Sequence, residues 1–155
     1  KVAASQLLHE PNLVVRSVVQ NNNFLMTYNS EIMPRSDGRD PKKPDVFFIN
    51  KTEKEAYIID VTIVSDSRLS RAFVDKVNKY LLLQSKVREI KQLRSVKTIP
   101  VVISISGLIN ISSVDMIKSI GLNINWEEVS RTILMRNVQD LAHHLSNSTG
   151  VFDNS

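Results

Sequence analysis

The stretch that decides the fold is Lys43-Pro44-Asp45-Val46-Phe47-Phe48-Ile49-Asn50, a polar break over 51–55, and then Ala56-Tyr57-Ile58-Ile59-Asp60-Val61-Thr62-Ile63-Val64-Ser65. Two runs rich in β-branched and aromatic residues, joined by a short polar connection, predict a hairpin. The strands are expected at Val46–Asn50 and Ala56–Ser65, with the turn over Lys51–Lys54. Both runs are nearly continuous in apolar residues, which predicts central strands covered on both faces. Side chains alternate along a strand, so Ile58, Asp60 and Thr62 share one face, and Ile59, Val61 and Ile63 the other. Asp60 is the anomaly. A carboxylate in such a run is costly to bury unless it is paired or bound to a cation. Asp45 enters the first strand just as Asp60 sits midway along the second, so a hairpin lets the two acids approach.

Working upstream, Met33–Pro44 reads as a loop, with Gly38 and three prolines as punctuation. It carries Arg35, Arg39, Lys42 and Lys43, either as a solvated loop or as a phosphate-contacting one. Phe24–Ile32 predicts a further strand, and Asn21-Asn22-Asn23 a turn. Earlier still, Val2–His9 and Asn12–Gln20 read as helices separated by Pro11.

Downstream, a long helix is expected over Leu69–Arg94, capped by Ser67 or Ser70. Phe73, Val77, Tyr80, Leu81, Val87 and Ile90 form its packed side. Lys76 and Lys79 are three residues apart and so share a surface. Thr98–Ser106 predicts another internal strand, closed by Gly107. Ser113–Ile120 and Trp126–Leu145 predict two more helices, the last capped by Asn125 with Glu127 and Glu128 in its first turn. The order is helix, three strands, helix, strand, then additional C-terminal helices, which is an α/β layered core.

The bounds are consistent with one domain over 1–145 and a flexible tail over 146–155. The chain has 155 residues, 42% hydrophobic and 23% charged, as ordinary globular domains do. Net charge is +4 and the pI about 9.4, which suits a polyanionic partner without requiring one. There is no cysteine, so disulfides and thiolate zinc sites within this chain are excluded. No apolar run is long enough to span a bilayer. The chain begins at Lys1 rather than methionine, so it is expected to be a piece of a longer, intracellular polypeptide.

Two acids at adjacent strands and a lysine from the next helix point to one chemistry. Carboxylate oxygens suit Mg²⁺ or Mn²⁺, which bind phosphate oxygens alongside one or two acids. The cation polarises a phosphoryl group, and a lysine beside it neutralises developing charge. The competing reading of Asp60 is an edge position in the sheet, or an ion pair with Lys76 or Arg71.

The ensemble Lys43-Pro44-Asp45, fourteen residues, Asp60, then Lys76-Val77-Asn78-Lys79-Tyr80 resembles the PD-(D/E)xK nuclease signature. More narrowly, it is similar to the restriction-like endonuclease domain of non-LTR (LINE-type) retrotransposons, over about residues 42–107. The resemblance implies a restriction-endonuclease-like αβββαβ core. It also implies metal ligands at Asp45 and Asp60 and a catalytic lysine at Lys76, with Lys79 the second candidate. The general signature has lysine two residues after the second acid. Thr62 stands there in this chain, which favours the narrower family, where the helix supplies the lysine. Tyr80 fits the family pattern and equally fits a core aromatic. The implied activity is nicking of chromosomal target DNA in the nucleus, with the released 3′-hydroxyl priming a reverse transcriptase elsewhere in the same polypeptide. Arg35, Arg39, Lys42, Lys43, Arg68 and Arg71, with Lys86, are the candidate DNA contacts. Two alternatives stand beside this reading. One is a structure-selective nuclease of the Holliday-junction resolvase type; the other is an inactive DNA- or protein-binding module of the same fold.

Three single features carry less. Glu10 is the only acid of the first helices available to complete a metal site, and beside Pro11 it reads as solvated. His143 and His144 point about 100° apart on a helix, so they do not share a ligand site. Trp126 reads as a core anchor at a helix start rather than a base-stacking residue. Oligomeric state is not legible in the sequence.

Overall fold

The computed structural model describes residues 18–32 and 43–149. Its centre is a five-stranded mixed sheet in the order β1-β2-β3-β4-β5. The strands are β1 (Val18–Gln20), β2 (Phe24–Tyr28), β3 (Val46–Asn50), β4 (Glu55–Val64) and β5 (Ser95–Ser104). The first four are antiparallel neighbours; β4 and β5 are parallel, and α1 (Leu69–Ile90) forms the crossover between them. Two further helices follow, α2 (Ile111–Ser119) and α3 (Trp126–Thr149).

The hairpin of β3 and β4 lies where the sequence put it, with Val46 opposite Ile59 and Asn50 opposite Glu55. Asn50 closes the connection by accepting from the Glu53 amide, 3.0 Å, through its side chain. The alternation along β4 also holds. Ala56, Ile58 and Asp60 are buried on the face that meets α1, where Phe47, Ile49, Tyr80, Leu83 and Val87 complete one apolar cluster. Ile99, Val101 and Ile103 of β5 fill the other face with Ile117 of α2, and Tyr57, Ile59, Trp126, Val129 and Ile133 pack against them. Trp126 is therefore a core anchor.

Four expectations are corrected. Val18–Gln20 is a strand, not the end of a helix: Asn21 accepts from the amides of Asn23 and Phe24, each at 2.8 Å, and this side-chain turn folds two β-branched valines back onto β2. The strand at Phe24 ends at Tyr28, because Asn29 takes a positive φ of 44°. On α1 the buried residues are Ala72, Tyr80, Leu83 and Val87, whereas Leu81 and Ile90 face outward. Neither Ser67 nor Ser70 caps α1; a short 3₁₀ turn over Asp66–Arg68 leads into it without a side-chain cap.

The expectation that β4 is covered on both faces holds only for its first half. Val61 and Ile63 are 45% and 54% exposed, because β3 pairs only as far as Ile59 and the α2–α3 layer reaches only Tyr57 and Ile59. The last helix continues past Leu145 through Ser146–Thr149, since no glycine or proline intervenes before Gly150. Asn125 caps it as expected, accepting from the Glu128 amide at 3.2 Å while its own amide donates to the Glu128 carboxylate at 3.4 Å.

Pro100 sits within β5 without disrupting it. The Val102 amide points away from β4, to Ser113 Oγ at 3.1 Å. Pro100, two residues earlier, faces the same free edge, so its missing amide costs no bond to β4. That edge is then closed by the 108–113 segment, through Ser104 N to Leu108 O and Asn110 N to Val102 O. The expected helices at Val2–His9 and over most of Asn12–Gln20, Glu10, and most of the Met33–Pro44 loop lie outside the described residues, as do Arg35, Arg39 and Lys42.

Candidate active site

Strand register brings the two acids together. Val46 opposes Ile59, so the next pair beyond the ladder is Asp45 and Asp60. Pro44 is fully buried and anchors the chain entering β3. Asp45 itself is exposed, and its Oδ2 accepts from the Val61 amide at 2.6 Å, one residue past Asp60. The Asp45 carbonyl accepts from Asn29 N at 2.9 Å, which ties the same point to the end of β2.

Asp60 points to the α1 face and is 3% exposed. Two hydrogen-bond donors and a second cation from one side of α1 surround it, because residues three and four apart share a helix face. Lys76 Nζ donates to Oδ2. Tyr80 Oη, from a fully buried ring, donates to Oδ1 at 2.7 Å. Lys79 Nζ lies 4.0 Å from Oδ1 and 4.7 Å from the centre of the Tyr80 ring. Burial pushes the Tyr80 hydroxyl far above the ordinary tyrosine range. Its hydrogen bond to Asp60 and the charges of Asp60 and Asp45 push in the same direction. Tyr80 thus keeps its proton and donates to Asp60 across the neutral range. The alternative partner for Asp60, Arg71, is directed elsewhere: it is highly exposed and pairs with Asp75 at 3.9 Å, one turn along its own helix.

The arrangement therefore holds two carboxylates side by side with Lys76 and Lys79 against the more buried one. Among the described residues no group of three or more His, Cys, Asp or Glu forms a ready metal cage. The donor chemistry still fits a small hard cation, since Mg²⁺ characteristically takes one or two carboxylates and fills its remaining positions with water and substrate oxygens.

Of the remaining sequence-derived candidates, Lys43 is exposed and lies 3.8 Å from Glu31. Arg68 and Arg71 are exposed at the start of α1, in the segment that follows β4. His143 and His144 sit exposed on α3 with ring centres 6.4 Å apart. Two polar features were not anticipated. Gln84, one turn beyond Tyr80 on α1, donates to Thr98 Oγ1 of β5 at 2.5 Å. Ser106 Oγ donates to Asp66 at 2.8 Å and lies 2.9 Å from Ser104 Oγ; these hydroxyls hold the Asp66 carboxyl below its usual range. Thr98 shares the strand parity of buried Pro100 and Val102, and that polar residue in an apolar run was the available signal.

No protein-family model matches the chain, and no curated protein matches it.

Proposed function

We propose that this chain is a metal-dependent DNA endonuclease domain of the restriction-endonuclease-like class, and that it supplies the nicking activity for insertion of a non-LTR retrotransposon. The observation that carries the reading is the register-opposed pair Asp45 and Asp60 with Lys76 against Asp60. An antiparallel meander, β1 to β4, followed by a helix and a parallel strand supports the same class.

Asp45 and Asp60 would hold Mg²⁺ or Mn²⁺, which when bound polarises the scissile phosphodiester and favours ionised water at neutral pH. The protein's own residues do the rest. Tyr80 fixes one oxygen of Asp60, and the Val61 amide fixes one oxygen of Asp45, so both carboxylates are oriented before DNA arrives. Lys76 neutralises Asp60 in the free protein and sits where it would stabilise negative charge developing on a phosphate. Lys79, half-exposed in its side chain, is the second cation at the same place. Exposed Lys43, Arg68 and Arg71 flank these elements in the chain and would add the salt-sensitive, sequence-independent part of DNA binding. The 3′-hydroxyl left by a nick in nuclear target DNA would prime a reverse transcriptase within the same polypeptide.

One observation favours a second reading. Both oxygens of Asp60 are already engaged, by Lys76 and by Tyr80, as a purely structural ion pair would be. On that reading the domain binds DNA or protein without cutting. Nicking of supercoiled plasmid decides between the two. Open circles that require Mg²⁺ or Mn²⁺, disappear with chelator, and are lost in Asp45→Asn and Asp60→Asn proteins with unchanged circular dichroism support the nuclease. A folded protein that shifts DNA without cutting it refutes the nuclease in favour of binding. A preference for four-way junctions over linear duplex refutes the retrotransposon assignment in favour of a resolvase-type enzyme.

A further inference from the structure

The two oxygens of Asp60 are engaged by unlike donors. Tyr80 Oη donates to Oδ1 at 2.7 Å, and Lys76 Nζ donates to Oδ2. Tyr80 is neutral and its ring is fully buried, so it orients the carboxylate without cancelling its charge. Lys76 does cancel that charge, at a carboxylate only 3% exposed. Lys79 Nζ, 4.0 Å from Oδ1, is the weaker counter-ion. Asp45 is held differently, by the neutral Val61 amide at 2.6 Å. A lysine ammonium and a divalent cation on one carboxylate repel each other, and the repulsion is stronger where water is scarce. The two donors also differ in freedom. The Lys76 side chain is 23% exposed and carries its charge on a flexible four-carbon stem, so it can turn away from Asp60 without any change in α1. The Tyr80 ring is locked in the core with Ile58, Leu83 and Val87.

We infer that Lys76 is a competing counter-ion, which must release Asp60 before a divalent cation can bind there, so that Lys76 sets the metal affinity of the domain. The inference rests on the nuclease reading of the site and deepens it. Lys76 balances a buried charge that would be costly to leave alone, and gives up that task when a divalent cation takes it over. Tyr80 stays on Oδ1 throughout, so the carboxylate keeps its orientation during the exchange. The released ammonium is then available to a phosphate oxygen of DNA, the role the nuclease reading gives it. The engagement of both Asp60 oxygens, which by itself resembles a structural ion pair, is on this account compatible with a metal site.

Mn²⁺ titrations of the 155-residue chain at pH 8, read by electron paramagnetic resonance, measure the competition without any cleavage. The Lys76→Met protein should bind Mn²⁺ about 10-fold tighter or more than the natural protein, the scale on which a neighbouring charge changes the affinity of a carboxylate for a proton. Lys79→Met should have a smaller effect. A second measurement uses the natural protein alone. Acetylation with an amine-reactive ester, read residue by residue by mass spectrometry, should find Lys76 protected in chelator and reactive at the Mn²⁺ concentration that saturates the protein. If Lys76→Met does not fold, the acetylation result decides. Mn²⁺ binding that is equal in the natural and Lys76→Met proteins, yet lost in Asp60→Asn, overturns this inference and leaves the nuclease reading standing. A Lys76 amine that stays protected at saturating Mn²⁺ does the same. Absence of Mn²⁺ binding from the natural and Lys76→Met proteins alike overturns both.

Discussion

Tyr80→Phe isolates the hydrogen bond that orients Asp60. The ring of Tyr80 is fully buried among Ile58, Leu83 and Val87, and phenylalanine keeps that packing, so the substitution removes only the hydroxyl. What is lost is a 2.7 Å bond to a carboxylate that is 3% exposed and cannot recruit water in its place. A hydrogen bond to a buried charged group contributes about 1.5–3 kcal/mol. For a chain of this length each kcal/mol moves the melting temperature by about 2–4 °C, so a fall of roughly 3–12 °C at pH 7 is expected. The pH dependence adds a second signature. The folded-state pKa of Tyr80 is raised above its unfolded value, so its contribution is fully present below about pH 10. Above that the unfolded chain loses the proton while the folded protein keeps it, and stability falls by up to about 1.4 kcal/mol per pH unit. Tyr80→Phe lacks this titration. Denaturant melts of both proteins at pH 7, 9, 10.5 and 11.5 should therefore converge as pH rises. Tyr57→Phe is the control, since Tyr57 donates at 2.9 Å to a partly exposed Glu55 carboxylate that Arg94 also holds, and its loss should matter less. Equal stability of Tyr80→Phe and the natural protein at pH 7, or parallel pH profiles, would refute the claim that this hydroxyl holds Asp60.

Two further outcomes are expected. Lys76→Met removes the partner of a buried carboxylate, which characteristically costs about 3–5 kcal/mol, partly offset here by Lys79 at 4.0 Å; urea unfolding should show that loss, and the Lys79→Met protein a much smaller one. Asn125→Ala removes the side-chain cap of α3 and should destabilise the domain by about 1 kcal/mol in the same assay, with little effect in Asn125→Ser.

The hairpin of β3 and β4 was legible because its information is local. An uninterrupted apolar run bounded by a polar turn has one economical solution, and the period of two assigns Asp60 to the same face as Ile58 from sequence alone. The approach of Asp45 to Asp60 followed for the same reason, since a short connection leaves the register little freedom. The cap at Asn125 was legible because it needs only the next three residues. Val18–Gln20 was misread because a helical pattern and a short β-branched strand look alike over so few residues, and its pairing with β2 decided the matter. Leu81 and Ile90 fit an apolar helical stripe, yet the direction from which the sheet approaches α1 leaves both outside.

The sequence by itself determined the α/β alternation, the β3–β4 hairpin, the anomaly at Asp60 and the spacing that puts Lys76, Lys79 and Tyr80 on one side of a helix. Each of these rests on backbone periodicity, which is a property of neighbouring residues. Only the tertiary structure decided which donors reach Asp60, that Arg71 turns away to Asp75, and that the second face of β4 is left open at Val61 and Ile63. It also decided that Val138 and Leu141 of α3 face outward although they continue its apolar pattern. Those outcomes depend on where α1, α2 and α3 settle on the sheet, and that is fixed by how shapes fit between segments far apart in the chain.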